Sequence, residues 1–191
     1  MKKIGLYFGS FNPVHIGHMI IANHIVNYSD LDEVWMVVTP QNPFKKKNTL
    51  LNDRTRYNLV DMAIDDNLKL KVTDIEFGLP QPSYTVNTLA YIQEKYPKKE
   101  FALIMGSDNL DTFHKWKNYE QIIKNHNLYV YPRPNSTGGQ FKDHPKVTWV
   151  DAPLMEISST HIRKAIASGK SIKYLLPENV HDYILEMNYY K

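Results

Sequence analysis

The apolar run Ile4-Gly5-Leu6-Tyr7-Phe8 passes directly into Gly9-Ser10-Phe11-Asn12-Pro13-Val14-His15-Ile16-Gly17-His18 and then into a helical pattern. A strand that turns tightly into a helix is the opening unit of an α/β sheet, so this segment constrains the fold more than any other. Gly9 lets a backbone turn come close to a ligand. Pro13, with a fixed φ and no N–H, suits a loop that leads into a helix. His15 and His18 are spaced to share one face of that helix, so both imidazoles can point to its N-terminus. Free N–H groups and the helix dipole favour an anion there, and the segment reads as a site for polyphosphate. A lone His-x-x-His is more often a surface or structural pair. As a metal site it lacks a third ligand nearby, and the chain has no cysteine. The segment matches neither the Walker phosphate loop nor the Gly-x-Gly-x-x-Gly dinucleotide turn.

Strand-like and helix-like stretches alternate along the chain. Strands are expected at 3–8, 33–39, 69–74, 100–106, 127–131 and 146–150. Helices are expected at 16–28, from Asn52 or Asp53 to about 65, at 84–95 behind Ser83 as cap, near 119–125, from Ser158 or Ser159 to 167, and from Pro177 to about 187. A short helical region follows Gly106. Such alternation implies a parallel sheet with helices on both faces and right-handed crossovers. Ligands then bind at the carboxyl ends of strands, where the strand order reverses. Segments 9–18, 39–45 and 106–108 all follow strand ends and should converge on one edge of the sheet.

The 191 residues suit one domain, 1–191, and the 42% hydrophobic content is enough for a core, which argues against disorder. A formal net charge of +3 is too mild to argue for nucleic acid, though it suits a basic phosphate pocket. The absence of cysteine removes a thiol nucleophile and a disulfide framework. The start, Met1-Lys2-Lys3, leads into a strand and not into a signal-peptide apolar region, and no apolar run is long enough to span a bilayer. The expected location is the cytoplasm, with no membrane and no nucleic-acid partner.

A second motif, Ile157-Ser158-Ser159-Thr160-His161-Ile162-Arg163, places three hydroxyl residues at a helix start. They offer caps and donors to an anion, with Arg163 one turn further in and able to fork onto phosphate oxygens. Taken alone it is a well-capped surface helix. Together, the two motifs resemble the G-x-F-x-P-x-H-x-G-H and I-S-S-T-x-I-R signatures of nucleotidyltransferases. Pro82-Ser83-Tyr84-Thr85-Val86-Asn87-Thr88-Leu89, Ile104-Met105-Gly106-Ser107-Asp108, Trp116 and Tyr131-Pro132-Arg133-Pro134 are similar to further segments of the bacterial nicotinate mononucleotide adenylyltransferases. The resemblance runs from residue 3 to about 185.

This resemblance implies a Rossmann-like nucleotidyltransferase fold with a short C-terminal helical segment. It implies transfer of the adenylyl group of ATP to nicotinate mononucleotide, giving deamido-NAD and pyrophosphate. His15, His18, Lys45 and Arg163 would carry the charge stabilisation. Gly9, Ser10, Phe11, Asp108, Ile157, Ser158, Ser159 and Thr160 would bind ATP. Asn12, Thr85, Trp116 and Arg133 would bind the mononucleotide, the indole stacking on the pyridine ring. Mg²⁺ would arrive with ATP, with no metal-ligand cluster in the protein. Phosphopantetheine or nicotinamide mononucleotide as acceptor, and a silent nucleotide-binding regulator, are the alternatives. Homo-oligomerisation is left open. Three departures stand out. Phe44 occupies the place of a family histidine, Asn135 that of a glycine, and Asn12 that of a residue that is also commonly aspartate.

Overall fold

The computed structural model describes residues 1–41 and 50–191. Its strands β1 (Lys2–Gly9), β2 (Glu33–Val38), β3 (Leu70–Thr73), β4 (Lys99–Gly106), β5 (Leu128–Tyr131) and β6 (Val147–Trp149) agree with the expected ones to within one residue at each end. They form one sheet in the order β3-β2-β1-β4-β5-β6, and every pairing is parallel. The central strands read as near-continuous apolar runs because both sheet faces are covered. Alternate residues divide between two cores. Tyr7, Met36 and Ile104 face one, and Leu6, Val37 and Leu103 face the other.

The helices are α1 (Ile16–Tyr28), α2 (Asp53–Ile64), α3 (Thr85–Lys95), α4 (Ser107–Asp111), α5 (Tyr119–Asn125), α6 (Ser159–Ala167) and α7 (Glu178–Glu186). The first core takes residues of α1, α2, α6 and α7, and the second takes residues of α3, α4 and α5. The sheet is therefore wound on both faces. At the C-terminal end, α7 buries Val180 and Ile184, and Asn179 Nδ2 donates to Met62 O of α2 at 2.6 Å.

Side-chain caps fix two of the helix starts. Asn52 caps α2 by accepting from Arg54 N at 2.9 Å, and Ser158 caps α6 by accepting from His161 N at 3.2 Å. Ser83 does not cap α3. The chain is still extended at Tyr84, which takes the N-cap position, so Ser83 lies one residue too early. The strand order reverses between β1 and β4. The loops after those two strands thus frame the crevice where such sheets bind ligands.

Candidate active site

The crevice at the carboxyl ends of β1 and β4 holds two adjoining cavities. One, of about 640 Å³, is lined by the β1–α1 loop, His15, His18, Asp108, Arg133 and the start of α6. The other, of about 500 Å³, is lined by Glu76, Ser83, Thr85, Trp116 and the end of β4. Tyr7, Phe8, Thr39, Asn109 and Tyr131 line both, so the cavities are continuous across the central strands. The Tyr7 and Tyr131 hydroxyls lie 3.3 Å apart on this shared ridge.

The two histidines are assembled by the helix start itself. His15 is the N-cap, in extended conformation, and not a residue of the helix proper. His18 lies three positions on, and the rings still meet, stacked at 3.6 Å and 25°. The His15 N–H donates to His18 Nδ1 at 3.2 Å. An Nδ1 that accepts is unprotonated, which leaves the His18 Nε2–H as a donor. His15 is 4% exposed, and its Nδ1 has no hydrogen-bond partner. Burial, helped by the Arg133 guanidinium, lowers its pKa to about 4. His15 is therefore neutral near pH 7 and can act only as a neutral donor. Phe11 packs edge-on against His18, with centroids 5.0 Å apart. Its ring fills the space where a side chain at position 9 would stand: a Cβ on Gly9 would meet it at 2.7 Å. Gly9 thus makes room for Phe11 as well as for a close backbone turn. Gly17 makes similar room for His15, whose Nδ1 would be 3.1 Å from an added Cβ.

The start of α6 is fastened to the β1–α1 loop. Ser159 Oγ donates to Pro13 O at 2.8 Å across 146 positions of sequence. Arg163 Nη1 donates to Asn12 O at 2.7 Å, and its Nη2 donates to Thr160 Oγ1 at 3.3 Å. These bonds bring the second motif to the histidines. Two arms of the Arg163 fork are thereby committed to the protein, and Ile157, Ser158 and Thr160 line the same cavity.

Asn12, Ser10 and Arg133 also line this first cavity, whereas Thr85 and Trp116 line the second. The residues expected to hold the mononucleotide are thus divided between the two cavities. Asn12 Oδ1 accepts from Leu51 N at 3.1 Å and from the Tyr190 hydroxyl at 2.7 Å, so it ties the loop to its surroundings. Arg133 lies over the Tyr131 ring at 5.4 Å, with Nε 3.9 Å from Asp108 Oδ1. Trp116 packs on Phe113 at 5.4 Å while also lining the cavity, so it serves both core and site. Asn135 adopts φ 61°, the left-handed turn that a glycine would otherwise supply. Lys45 and Phe44 lie outside the described residues.

Sequence reasoning missed Arg56. Its side chain is fully buried, donating from Nη1 to Ser10 O at 2.5 Å and Thr39 O at 2.9 Å, and from Nε to Leu51 O at 3.1 Å. Asp53 completes the set at 2.6 Å. One guanidinium thus ties together the loops after β1 and β2. The signal was available: Arg56 sits one turn before Leu59 and Val60, on the apolar stripe of α2. Tyr190, Glu76 and Ser107 were missed too. Ser107 Oγ accepts from Arg133 N at 2.9 Å.

Among the described residues no group of three or more His, Cys, Asp or Glu is placed to hold a metal ion. The closest pair here, two imidazoles, is a nitrogen set that poorly suits a hard cation such as Mg²⁺. Among the described residues, no helix is long and apolar enough to cross a membrane.

The cytidylyltransferase-like family matches residues 6–165. The chain is 60% identical over 191 residues to a protein of Flavobacterium psychrophilum named "Probable nicotinate-nucleotide adenylyltransferase", with 99% of each chain covered. A protein of Christiangramia forsetii with the same name is 59% identical, covering 100% of this chain and 99% of its own. Among solved structures, the nicotinic acid mononucleotide adenylyltransferase of Plasmodium falciparum complexed with NaAD superimposes with a TM-score of 0.85. It covers 100% of this chain and 98% of its own at 24% identity, which is a likeness of fold.

Proposed function

The chain belongs to the cytidylyltransferase-like nucleotidyltransferases and, within them, to the nicotinate-nucleotide adenylyltransferases, and from that premise we propose that it joins the adenylyl group of ATP to nicotinate mononucleotide, releasing pyrophosphate and deamido-NAD. The observation that carries this reading is the fastening of the Ser159–Arg163 turn onto the His15–His18 turn. It makes a cavity lined by His15, His18, Arg133 and Arg163 that adjoins a second cavity faced by an indole.

The reaction is a displacement at phosphorus. A 5′-phosphate oxygen of the mononucleotide attacks the α-phosphorus of ATP, and the bond to the bridging oxygen breaks with its electrons leaving on pyrophosphate. The protein has to position the two substrates and stabilise the charge. In this reading His18 donates from Nε2 to an α-phosphate oxygen, and neutral His15 adds a second donor beside it. The remaining Arg163 donors and Lys45 neutralise the departing pyrophosphate. Gly9, Ser10, Phe11, Ile157, Ser158, Ser159 and Thr160 enclose ATP, with Asp108 on a ribose hydroxyl. Asn12 and Arg133 belong to the phosphate end of the mononucleotide, Thr85 and Trp116 to its ring. Magnesium enters as part of the Mg–ATP substrate, held by phosphate oxygens and water. The whole of 1–191 acts as one nucleotidyltransferase domain, and the cytoplasm, where ATP is plentiful, is its compartment.

The test follows the label. With ATP labelled at the α-phosphate and nicotinate mononucleotide as acceptor, the label should appear in the dinucleotide. With the γ-phosphate labelled, it should appear in pyrophosphate. Label from the γ-position in the organic product would mean phosphoryl transfer and overturn the reading.

A further inference from the structure

One buried acid is used by nothing in this mechanism. Glu76, just after β3, is 1% exposed and lines the cavity of Thr85 and Trp116. Its Oε1 accepts from Thr88 Oγ1 at 2.6 Å. Its Oε2 is buried with no hydrogen-bond partner, and so is the hydroxyl of Ser83 in the same wall. Thr88 lies three residues after Thr85 and therefore on the same face of α3. Ser83 lies two residues before it. The carboxyl group is thus anchored around the turn that presents Thr85. Among the described residues no cation pairs with it.

We propose that Glu76 is a specificity-determining residue of the acceptor cavity: its carboxyl must be uncharged when an acidic ring substituent is seated beside Thr85, and need not be when the substituent is neutral. The inference rests on the acceptor reading above. Burial raises the pKa of Glu76, while the hydrogen bond from the Thr88 hydroxyl pulls against that rise. A ligand carboxylate in the same cavity is a like charge and pushes it higher still. Nicotinate therefore binds with uptake of a proton once the pH exceeds the pKa of Glu76 in the free protein, and nicotinamide does not. The other titratable groups lining this cavity are the phenols of Tyr7, Tyr84 and Tyr131 and the ammonium groups of Lys115 and Lys117. Burial holds the Tyr7 and Tyr131 phenols neutral.

The experiment measures kcat/KM for nicotinate and nicotinamide mononucleotides in parallel from pH 5 to 9. Both acceptors carry the same 5′-phosphate and use the same ATP, so those ionisations cancel in the ratio. In the wild type the nicotinate-to-nicotinamide ratio should fall as pH rises, by about tenfold for each unit by which the ligand charge lifts the pKa of Glu76. In Glu76→Gln, which stays neutral, the ratio should be flat. A ratio that is flat in the wild type, or that slopes equally in both proteins, overturns the proposal. Should Glu76→Gln fail to fold, proton uptake by the wild type decides, measured calorimetrically in buffers of different ionisation enthalpy. More uptake with nicotinate supports the role of Glu76, and equal uptake overturns it. Turnover of neither acceptor overturns adenylyl transfer itself, whereas turnover of both with a flat ratio overturns only the role of Glu76.

Discussion

At the scale of single residues, the site depends on where two imidazole protons lie. Because His18 Nδ1 accepts from the His15 backbone, the ring proton sits on Nε2, and the residue lines the cavity. His18→Ala should lower kcat by about 10²–10³, the range for losing one charge-stabilising donor. Steady-state rates at saturating ATP check this, and near-wild-type turnover would remove His18 from the mechanism. His15 makes a prediction about stability. Its pKa is about 4 in the folded protein against 6.5 ordinarily, so the unfolded chain binds the proton more readily. The contribution to stability is complete above pH 6.5 and is lost as pH falls toward 4. It amounts to about 3 kcal/mol. Denaturant titrations across that range should show a shallower slope for His15→Gln than for the wild type; identical slopes would mean that His15 is not buried neutral. The histidines themselves were legible in the sequence from their spacing and from the anion-binding character of a helix start. The burial that keeps His15 neutral was not, because it is set by the tertiary packing around the ring, to which the Arg133 guanidinium in the loop after β5 adds a smaller push.

At the scale of elements, the site is a set of loops held by bonds that no local pattern announces. The hydroxyl run at 158–160 reads as a helix cap, and Ser158 is one. Ser159 instead reaches Pro13, and Arg163 reaches Asn12. A single sequence carries no record of such pairings, whereas the strands and helices follow from apolar runs and periodicity. Ser83 differs from Asn52 and Ser158 because the chain stays extended for one residue beyond it, at Tyr84, before α3 begins. Arg163→Lys should lower kcat/KM for ATP clearly, since an ammonium cannot both hold Asn12 O and fork onto phosphate. Equal kinetics for the two proteins would make Arg163 an ordinary helix residue. Arg56→Met removes the guanidinium that joins the loops after β1 and β2 and leaves the Ser10, Thr39 and Leu51 carbonyls without that donor. It should cost about 3–5 kcal/mol. For a chain of this size, that is about 6–20 °C in Tm. A melting curve within a degree or two of wild type would contradict the role given to Arg56.

For the molecule as a whole, the sheet order and its reversal between β1 and β4 place both cavities at one edge, as the alternation of strands and helices led us to expect. That the crevice is two adjoining cavities was less legible, because it depends on how Tyr7 and Tyr131 meet in the middle. The central claim is that this crevice joins ATP to nicotinate mononucleotide in preference to related acceptors. Pyrophosphate release should be measured with saturating ATP and, in turn, nicotinate mononucleotide, nicotinamide mononucleotide and phosphopantetheine. While Glu76 is protonated, the N–H groups at the start of α3 favour a carboxylate, and an amide NH₂ turned toward those donors is left unpaired, at a cost of about 1–3 kcal/mol. The nicotinate form should be preferred by about tenfold or more in kcat/KM, and phosphopantetheine should not turn over. Equal use of the two pyridine mononucleotides, or faster use of phosphopantetheine, would contradict the central claim.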